Sequence, residues 1–318
     1  MKCIIYILGV VINVILSIDL NPILKRKYCL EKLEELNYAN EAIYGAGGEG
    51  IEIAFLLKAL NEEVFLSGFI GGVNGNHIHK ELMFAGLPHE YYPLRDETLD
   101  CTIIQLEDRE IIINSKEPRI TRDDMGGFIK LYNRFLNDTS LVCCLGNNTS
   151  EALNELYFDI IANANIKGIK TLVSLRKDGF KNSLKASPYL VLLEKEDLEE
   201  LTNLQLDYDY EIIKVGLYII EKGVKVAIIS QGKRGSLVLT TDNVFRVSVS
   251  EVEKEAELNR GYMLGGFATA LSRGYDFEMM LKLGQSCGMV NYYELNQQLD
   301  MSHIKRIMTY IEVDKFNY

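Results

Sequence analysis

The sequence lacks the features that define several common functional classes. It has no GxxxxGK[ST] segment, which argues against a P-loop nucleotide hydrolase. Its net charge is −11 and no basic face offsets that charge, which argues against a nucleic-acid partner. Only five prolines and no low-complexity tract occur in 318 residues, which argues against long disordered linkers. The length therefore fits one large α/β domain with a small appendage, or two domains.

The six cysteines show no CxxC spacing. Most of them lie in apolar runs, a pattern that predicts buried, reduced thiols rather than a disulfide framework. A reducing cytoplasm is the compartment that fits this pattern.

The N-terminal stretch MKCIIYILGVVINVILSI places one lysine before an apolar run. Such a run can be a signal segment or a short membrane anchor. Its many β-branched residues and the lack of a small-x-small cleavage site favour a first core strand with an extension. No membrane partner is therefore expected.

Strand-like and helix-like segments alternate along most of the chain. Apolar runs at 64–70, 141–145, 169–174 and 189–193 are separated by segments with helical periodicity. This alternation predicts a mostly parallel sheet covered on both faces. Shorter alternating strands near 16–30 and 89–114 predict a small separate sheet. A strand at 244–249 leads toward a helix at 261–272, and a strand-to-helix junction of this kind is where α/β proteins usually bind anions.

Six short motifs follow one another in a distinctive order: ILSIDLNPIL, AGGEGIEIAFLLKAL, GFIGGVNG, SQGKRG, GGFATALSRG and KLGQSCGMVN. Their order resembles that of the ribokinase-like (PfkB) sugar kinases, and within them the tagatose-6-phosphate kinase and 1-phosphofructokinase group. The resemblance extends from about residue 14 to residue 313. Gly45, Gly47 and Gly50 also match the dinucleotide pattern GxGxxG, but no clean apolar strand precedes them, so the kinase resemblance explains these glycines better.

The resemblance implies an α/β fold, namely a three-layer α/β/α sandwich with a mostly parallel central sheet, in a single domain over residues 1–318. It implies a β-sheet lid formed by about 16–45 and 89–116, through which a homodimer would form. The implied ligands are ATP with Mg²⁺ and a hexose phosphate such as tagatose 6-phosphate or fructose 1-phosphate.

Positions of ligand contacts also follow from the resemblance. The sugar phosphate would contact Asn21, Gly47, Gly48 and Asn114. The nucleotide would contact Ser230, Gly232 and Gly235. Asp197 retains an acid at the position linked to the metal.

One departure from the family pattern has a direct chemical consequence. The aspartate that should take the proton from the sugar hydroxyl is Gly261 here, and glycine has no side chain that can act as a base. The anion-hole positions are Leu258, Asn259 and Arg260, where the family uses small residues that let the backbone approach the phosphate. Arg260 could still contact a phosphate through its guanidinium.

Two other departures from the family pattern also remove groups that the expected kinase reaction needs or oppose its substrate. Lys25 replaces an aspartate that binds sugar hydroxyls, and Glu49 puts a negative charge where a sugar phosphate should approach. We therefore predict a sugar-phosphate kinase with weak or absent turnover. The alternative is a non-catalytic pseudokinase that binds a ligand or partner as a regulator or scaffold. Glu255 and Glu257 are near the missing aspartate in sequence and are the candidates for a substitute base.

Overall fold

A ten-stranded sheet runs through the centre of the protein. The structure is a computed structural model that describes residues 13–146, 150–249, 258–290 and 301–316. In spatial order the strands are β14 (Ile311–Lys315), β13 (Val244–Val249), β12 (Ser236–Leu239), β11 (Val226–Ser230), β10 (Leu190–Glu194), β9 (Lys170–Leu175), β8 (Thr139–Gly146), β1 (Val14–Asp19), β4 (Val64–Gly71) and β5 (Tyr92–Leu94). In this spatial order, the seven strands from β11 to β5 are parallel to one another. The strands β12, β13 and β14 extend the sheet beyond β11, and each pairs antiparallel with its neighbour.

Helices cover both faces of this sheet. One face packs on α1 (Glu49–Ala59), α2 (Gly72–Phe84), α8 (Arg260–Ser272), α9 (Phe277–Gly288) and α10 (Met301–Met308). The other packs on α3 (Arg122–Phe135), α4 (Glu151–Ile166), α5 (Lys177–Lys185), α6 (Lys195–Thr202) and α7 (Asp209–Glu221). Neighbouring strand residues alternate between the two cores, as Cys143 and Cys144 do. The strands are apolar on both sides for this reason, and the three-layer α/β/α prediction is confirmed.

A second, four-stranded sheet forms the lid. Its order is β3 (Glu41–Gly47), β2 (Ile23–Cys29), β6 (Leu99–Gln105) and β7 (Glu110–Asn114). The pair β2 and β6 is parallel, and the two outer pairs are antiparallel. Within the ranges predicted for the lid, β1 and β5 instead hydrogen-bond into the central sheet. The lid strands therefore lie within 23–47 and 99–114.

The small residues of α8 allow it to pack closely against its neighbours. A Cβ on Gly266 would lie 2.8 Å from the Cα of Gly284 in α9. A Cβ on Gly265 would lie 2.7 Å from Cδ2 of Leu56 in α1. Glycine at these two positions therefore holds α8 in contact with both helices, and it sets where the N-terminus of α8 meets the sheet.

Two elements differ from the sequence-based expectation. The segment containing α5 was not predicted as a helix, because it is short and polar and buries few side chains, chiefly Phe180 and Leu184. The sequence analysis likewise predicted no strand after α10, but α10 ends at Met308 and β14 follows it along β13. The predicted N-terminal strand is present as β1 from Val14, and residues 1–12 lie outside the described part. No helix in the described ranges is both long and apolar enough to cross a bilayer.

Candidate active site

The N-terminus of α8 faces the carboxyl ends of the central parallel strands, which is where open α/β sheets bind ligands. Asn259 is the N-cap of this helix, and its Oδ1 accepts the backbone N–H of Tyr262 at 2.9 Å. The backbone N–H of Asn259 itself donates to the Gly288 carbonyl at 2.7 Å. The backbone N–H of Asn259, one of the three predicted anion-hole positions, is therefore already engaged within the protein.

Arg260 begins α8 and is buried, with 8% of its surface exposed. Its Nε and Nη2 donate to Oγ of Ser174 at 3.0 and 2.7 Å. The Ser174 hydroxyl donates in turn to the Leu192 carbonyl at 2.8 Å. Ser174 lies in β9, so Arg260 points back over the carboxyl edge of the sheet rather than toward solvent.

Two carboxylates and a second arginine complete this arrangement, which we call the charged cluster: Ser174, Arg176, Glu194, Asp197 and Arg260. Arg260 Nη1 lies 3.5 Å from Asp197 Oδ2 and 3.9 Å from Glu194 Oε2. Arg176 Nη2 lies 2.7 Å from Glu194 Oε2, and its Nε lies 3.6 Å from Asp197 Oδ1. Asp197 Oδ2 also accepts the backbone N–H of Glu194 at 2.8 Å, in a capping box at the start of α6. Each carboxylate is therefore shared between two guanidinium groups.

A side chain at Gly261 would meet two apolar side chains and the amide oxygen of Asn259. A Cβ there would lie 3.3 Å from Cδ2 of Leu145, 3.3 Å from Oδ1 of Asn259 and 3.6 Å from Cγ1 of Ile53. Leu258, at the first anion-hole position, is partly buried against the apolar core. Glu255 and Glu257, the candidate substitute bases, lie outside the described residues.

The predicted sugar side is built around the loop that opens α1. Gly48 has φ of +132°, a conformation that residues with a Cβ rarely adopt. A Cβ on Gly48 would also overlap the Asp19 carboxylate, which lies directly beneath the loop. Oδ2 of Asp19 accepts the backbone N–H of Ile51 at 3.1 Å. The glycine at position 48 is thus required by both its backbone conformation and the space available.

Asp19 is a site residue that the sequence analysis missed. Burial raises the pKa of its carboxyl from 3.8 to about 7, and the nearby charges of Glu49 and Glu52 act in the same direction. The backbone N–H groups of Ile51 and Asn21 oppose this shift by donating to the carboxylate. The only signal in the sequence was a single acid closing an otherwise apolar strand, ILSID.

Glu49 and Lys25 lie at the glycine loop: Glu49 directly follows Gly48, and the Lys25 side chain packs over Gly47. Burial raises the pKa of the Glu49 carboxyl, and the positive charges of Arg260 and Arg176 partly oppose that rise. Lys25, in β2, forms an ion pair with Glu52 of α1 at 2.8 Å. The two charge-changing substitutions noted from the sequence, Lys25 and Glu49, are therefore close in space. Glu49 is within range of the charges of Arg260 and Arg176, and Lys25 is paired with Glu52 of α1.

The two predicted sugar-binding asparagines have different surroundings. Asn21 follows β1, and its Nδ2 lies 3.5 Å from Oε1 of Glu117. Asn114 ends β7 and is exposed. Its register partner is Cys101, which is in turn the partner of Lys25. Asn114 is thus two strands from Lys25, roughly 10 Å across the lid.

The predicted nucleotide residues form the turn after β11. Gly232 and Gly235 have φ of +61° and +90°, so this turn needs glycine at both ends. The Oγ of Ser230 accepts the backbone N–H of Gly232 at 3.2 Å. Ser230 is paired with Glu194 across the sheet, so this turn lies beside the charged cluster. The structure therefore brings Ser230, Asp197 and Arg260 to one edge of the sheet.

The comparison with known proteins identifies the class to which this site belongs. The sequence profile described as pfkB family carbohydrate kinase matches residues 12–256. The chain belongs to the pfkB family of carbohydrate kinases. Kinases of this family use ATP and Mg²⁺ in general and act on sugars or sugar phosphates.

Individual relatives cover almost the whole chain. The chain is 27% identical over 304 residues to the 1-phosphofructokinase of Borreliella burgdorferi, covering 94% of this chain and 98% of that protein. The structure of phosphofructokinase-2 from Escherichia coli in complex with potassium superposes with a TM-score of 0.82 at 18% identity, covering 94% of this chain and 99% of that one. The same Escherichia coli enzyme in complex with fructose-6-phosphate gives a TM-score of 0.81 at 17% identity, with the same coverage. These structures establish the ribokinase-like fold.

Proposed function

We propose that this chain is a hexose-phosphate kinase of the 1-phosphofructokinase type, transferring a phosphoryl group from ATP to a substrate such as fructose 1-phosphate or tagatose 6-phosphate. The observation that carries the proposal is the glycine loop of Gly47 and Gly48, held at the N-terminus of α1 beside the lid. The near-complete coverage of the Borreliella burgdorferi 1-phosphofructokinase supports the substrate class. Because this loop depends on glycine for both conformation and space, it supports retention of sugar binding.

We propose further that turnover is slow. A positioned general base contributes typically 10²–10⁴-fold to the rate of proton transfer, and Gly261 provides none. An anion-hole donor contributes a further 10²–10³-fold, and at this site the N–H of Asn259 is engaged by the Gly288 carbonyl. Burial raises the pKa of the Glu49 carboxyl, and the positive charge of Arg260 partly opposes that rise. We infer that Glu49 is the strongest candidate among the described residues for any remaining base function.

A second candidate function is a non-catalytic ligand-binding or regulatory protein. The charged cluster favours it, because Arg260 and Arg176 neutralise the acids with which a kinase of this family would place its metal. Such a protein would bind a sugar phosphate or nucleotide without transferring phosphate.

Ligand stabilisation and turnover separate these candidates. We expect a hexose phosphate to raise the Tm, and ADP release with Mg-ATP to be at least about 100-fold slower than for the Borreliella burgdorferi enzyme assayed in parallel. Stabilisation with no turnover would favour the non-catalytic candidate. Turnover equal to that of the relative would contradict the proposed impairment, and no response to any hexose phosphate or nucleotide would contradict both functions.

We also propose a homodimer formed through the lid. The outer strand β7 exposes apolar surface on Ile112 and Ile113, which are 58% and 54% accessible, and Tyr44 of β3 is 50% accessible. Exposed apolar surface on a small sheet is typical of an interface. Sedimentation velocity should show a dimer that Ile113→Lys converts to a monomer. Phe84→Lys, an equally drastic change of an exposed apolar residue in α2, should leave the dimer intact; a monomeric unsubstituted chain would contradict the proposal.

The compartment proposed is the cytoplasm. The five cysteines in the described ranges are all free thiols, and four of them are buried. Reduced thiols support a reducing compartment.

A further inference from the structure

The acids of the charged cluster do not fit a divalent metal. Mg²⁺ requires near-octahedral oxygen ligands at 2.0–2.1 Å and usually keeps several waters. Asp197 is 7% exposed in its side chain, and its two oxygens face Arg176 and Arg260, with the Glu194 backbone N–H as a further donor. Over the described ranges, no three His, Cys, Asp or Glu side chains converge as metal ligands. A metal ion entering here would be repelled by two guanidinium charges within about 4 Å of the same oxygens.

Arg260 is built into this position rather than resting on the surface. Three of its nitrogens have partners: Nε and Nη2 bind Ser174, and Nη1 lies between the two acids. Its burial and its place at the first turn of α8 mean that the guanidinium cannot leave without moving the helix or leaving Asp197 unpaired. The cation at this edge is therefore part of the chain itself.

We propose that the guanidinium groups of Arg260 and Arg176 are resident cations that take the place of a divalent metal at Glu194 and Asp197. The acidic pair then binds no Mg²⁺, and a phosphate group that reaches the edge of the sheet meets arginine instead. The planar guanidinium suits this role because its five N–H donors match the geometry of carboxylate and phosphate oxygens. The inference concerns the chain alone and does not depend on phosphoryl transfer.

A titration of the full-length chain with Mn²⁺ tests this inference directly. Binding is measured as the loss of the electron paramagnetic resonance signal of the free ion. We expect the unsubstituted chain to show only weak, non-saturating binding. We expect Arg176→Gln/Arg260→Gln to gain one saturable site with affinity at least about 10-fold higher, because both acids lose their neutralising partners. Adding Asp197→Asn to that variant should abolish the gain.

Matched variants control for net charge and folding. Arg246→Gln/Arg273→Gln removes the same two charges from ion pairs with Asp209 and Glu62, outside the charged cluster, and should gain no site. Single Arg260→Gln keeps Arg176 and should show a smaller gain, which covers the case in which the double variant does not fold. The proposal is overturned if the unsubstituted chain binds one Mn²⁺ tightly and Asp197→Asn removes it. It is equally overturned if the folded Arg260 variants gain no affinity.

Discussion

A chain carrying Leu258→Gly, Arg260→Gly and Gly261→Asp is expected to phosphorylate its hexose phosphate at least about 100-fold faster than the unsubstituted chain. The new aspartate restores a carboxylate at the start of α8, and the glycines restore close backbone approach. The space for this change is nearly present. A Cβ at position 261 would lie 3.3 Å from both Cδ2 of Leu145 and Oδ1 of Asn259, so both side chains must yield by a few tenths of an ångström. Steady-state ADP release with Mg-ATP and a panel of hexose phosphates measures the effect.

The matched control is Leu258→Gly, Arg260→Gly and Gly261→Asn. It has the same backbone and nearly the same shape but cannot accept the proton, so it should retain the low rate of the unsubstituted chain. Equal and raised rates for the aspartate and asparagine variants would show that the carboxylate at 261 does not limit turnover. An inactive but folded aspartate variant would mean that the changes at Lys25 and Glu49 also prevent reaction.

The fold was predictable because its signals are local. The apolar runs of β4, β8, β9 and β10 and the glycine loop before α1 each carry their pattern within a few residues. Alternation of such segments leaves few arrangements other than a parallel sheet between two helix layers. The predictions were wrong where the pattern was weak, as in the polar segment of α5 and the short edge strand β14. The division of strands between sheets was also missed, because β1 and β5 lie only three and four residues before the lid strands β2 and β6, a spacing that suggests one sheet.

The candidate site was predictable only in part. Motif positions identified Gly261 and Asp197 as the base and metal positions that the family resemblance implies. Nothing local indicates that Arg260 pairs with Asp197, which lies 63 positions away, since the contact exists only once α8 packs against β8 and β9. Asp19 was missed for a similar reason. Its burial comes from the loop that folds over it, not from its neighbours in sequence.

Asp19→Asn is expected to remove most of a pH dependence from the free energy of unfolding. The folded state raises the pKa of Asp19 to about 7, so the folded chain holds this proton more tightly than the unfolded chain, where the ordinary value is near 3.8. The stabilisation is fully present below about pH 4 and is lost as the pH rises through 7. A difference of about 3 pKa units corresponds to about 4 kcal/mol between these limits. Urea unfolding at pH 5.5 and pH 8 should therefore show the unsubstituted chain losing more stability at pH 8 than Asp19→Asn does.

The groups around Asp19 determine how this result is interpreted. Glu49 and Glu52 of α1 lie on one side, Lys25 of the lid lies beyond Glu52, and the Tyr91 ring is close to the same strand. Glu49 also has a raised pKa, so part of the slope with pH should remain in the Asp19→Asn variant. Asp242→Asn, at an exposed turn between β12 and β13, changes the same charge and should leave the slope unaltered. Identical slopes for Asp19→Asn and the unsubstituted chain would mean that Asp19 stays ionised in the folded state, and the loop of Gly48 would then cover a charged carboxylate near pH 7 rather than one that is still partly protonated.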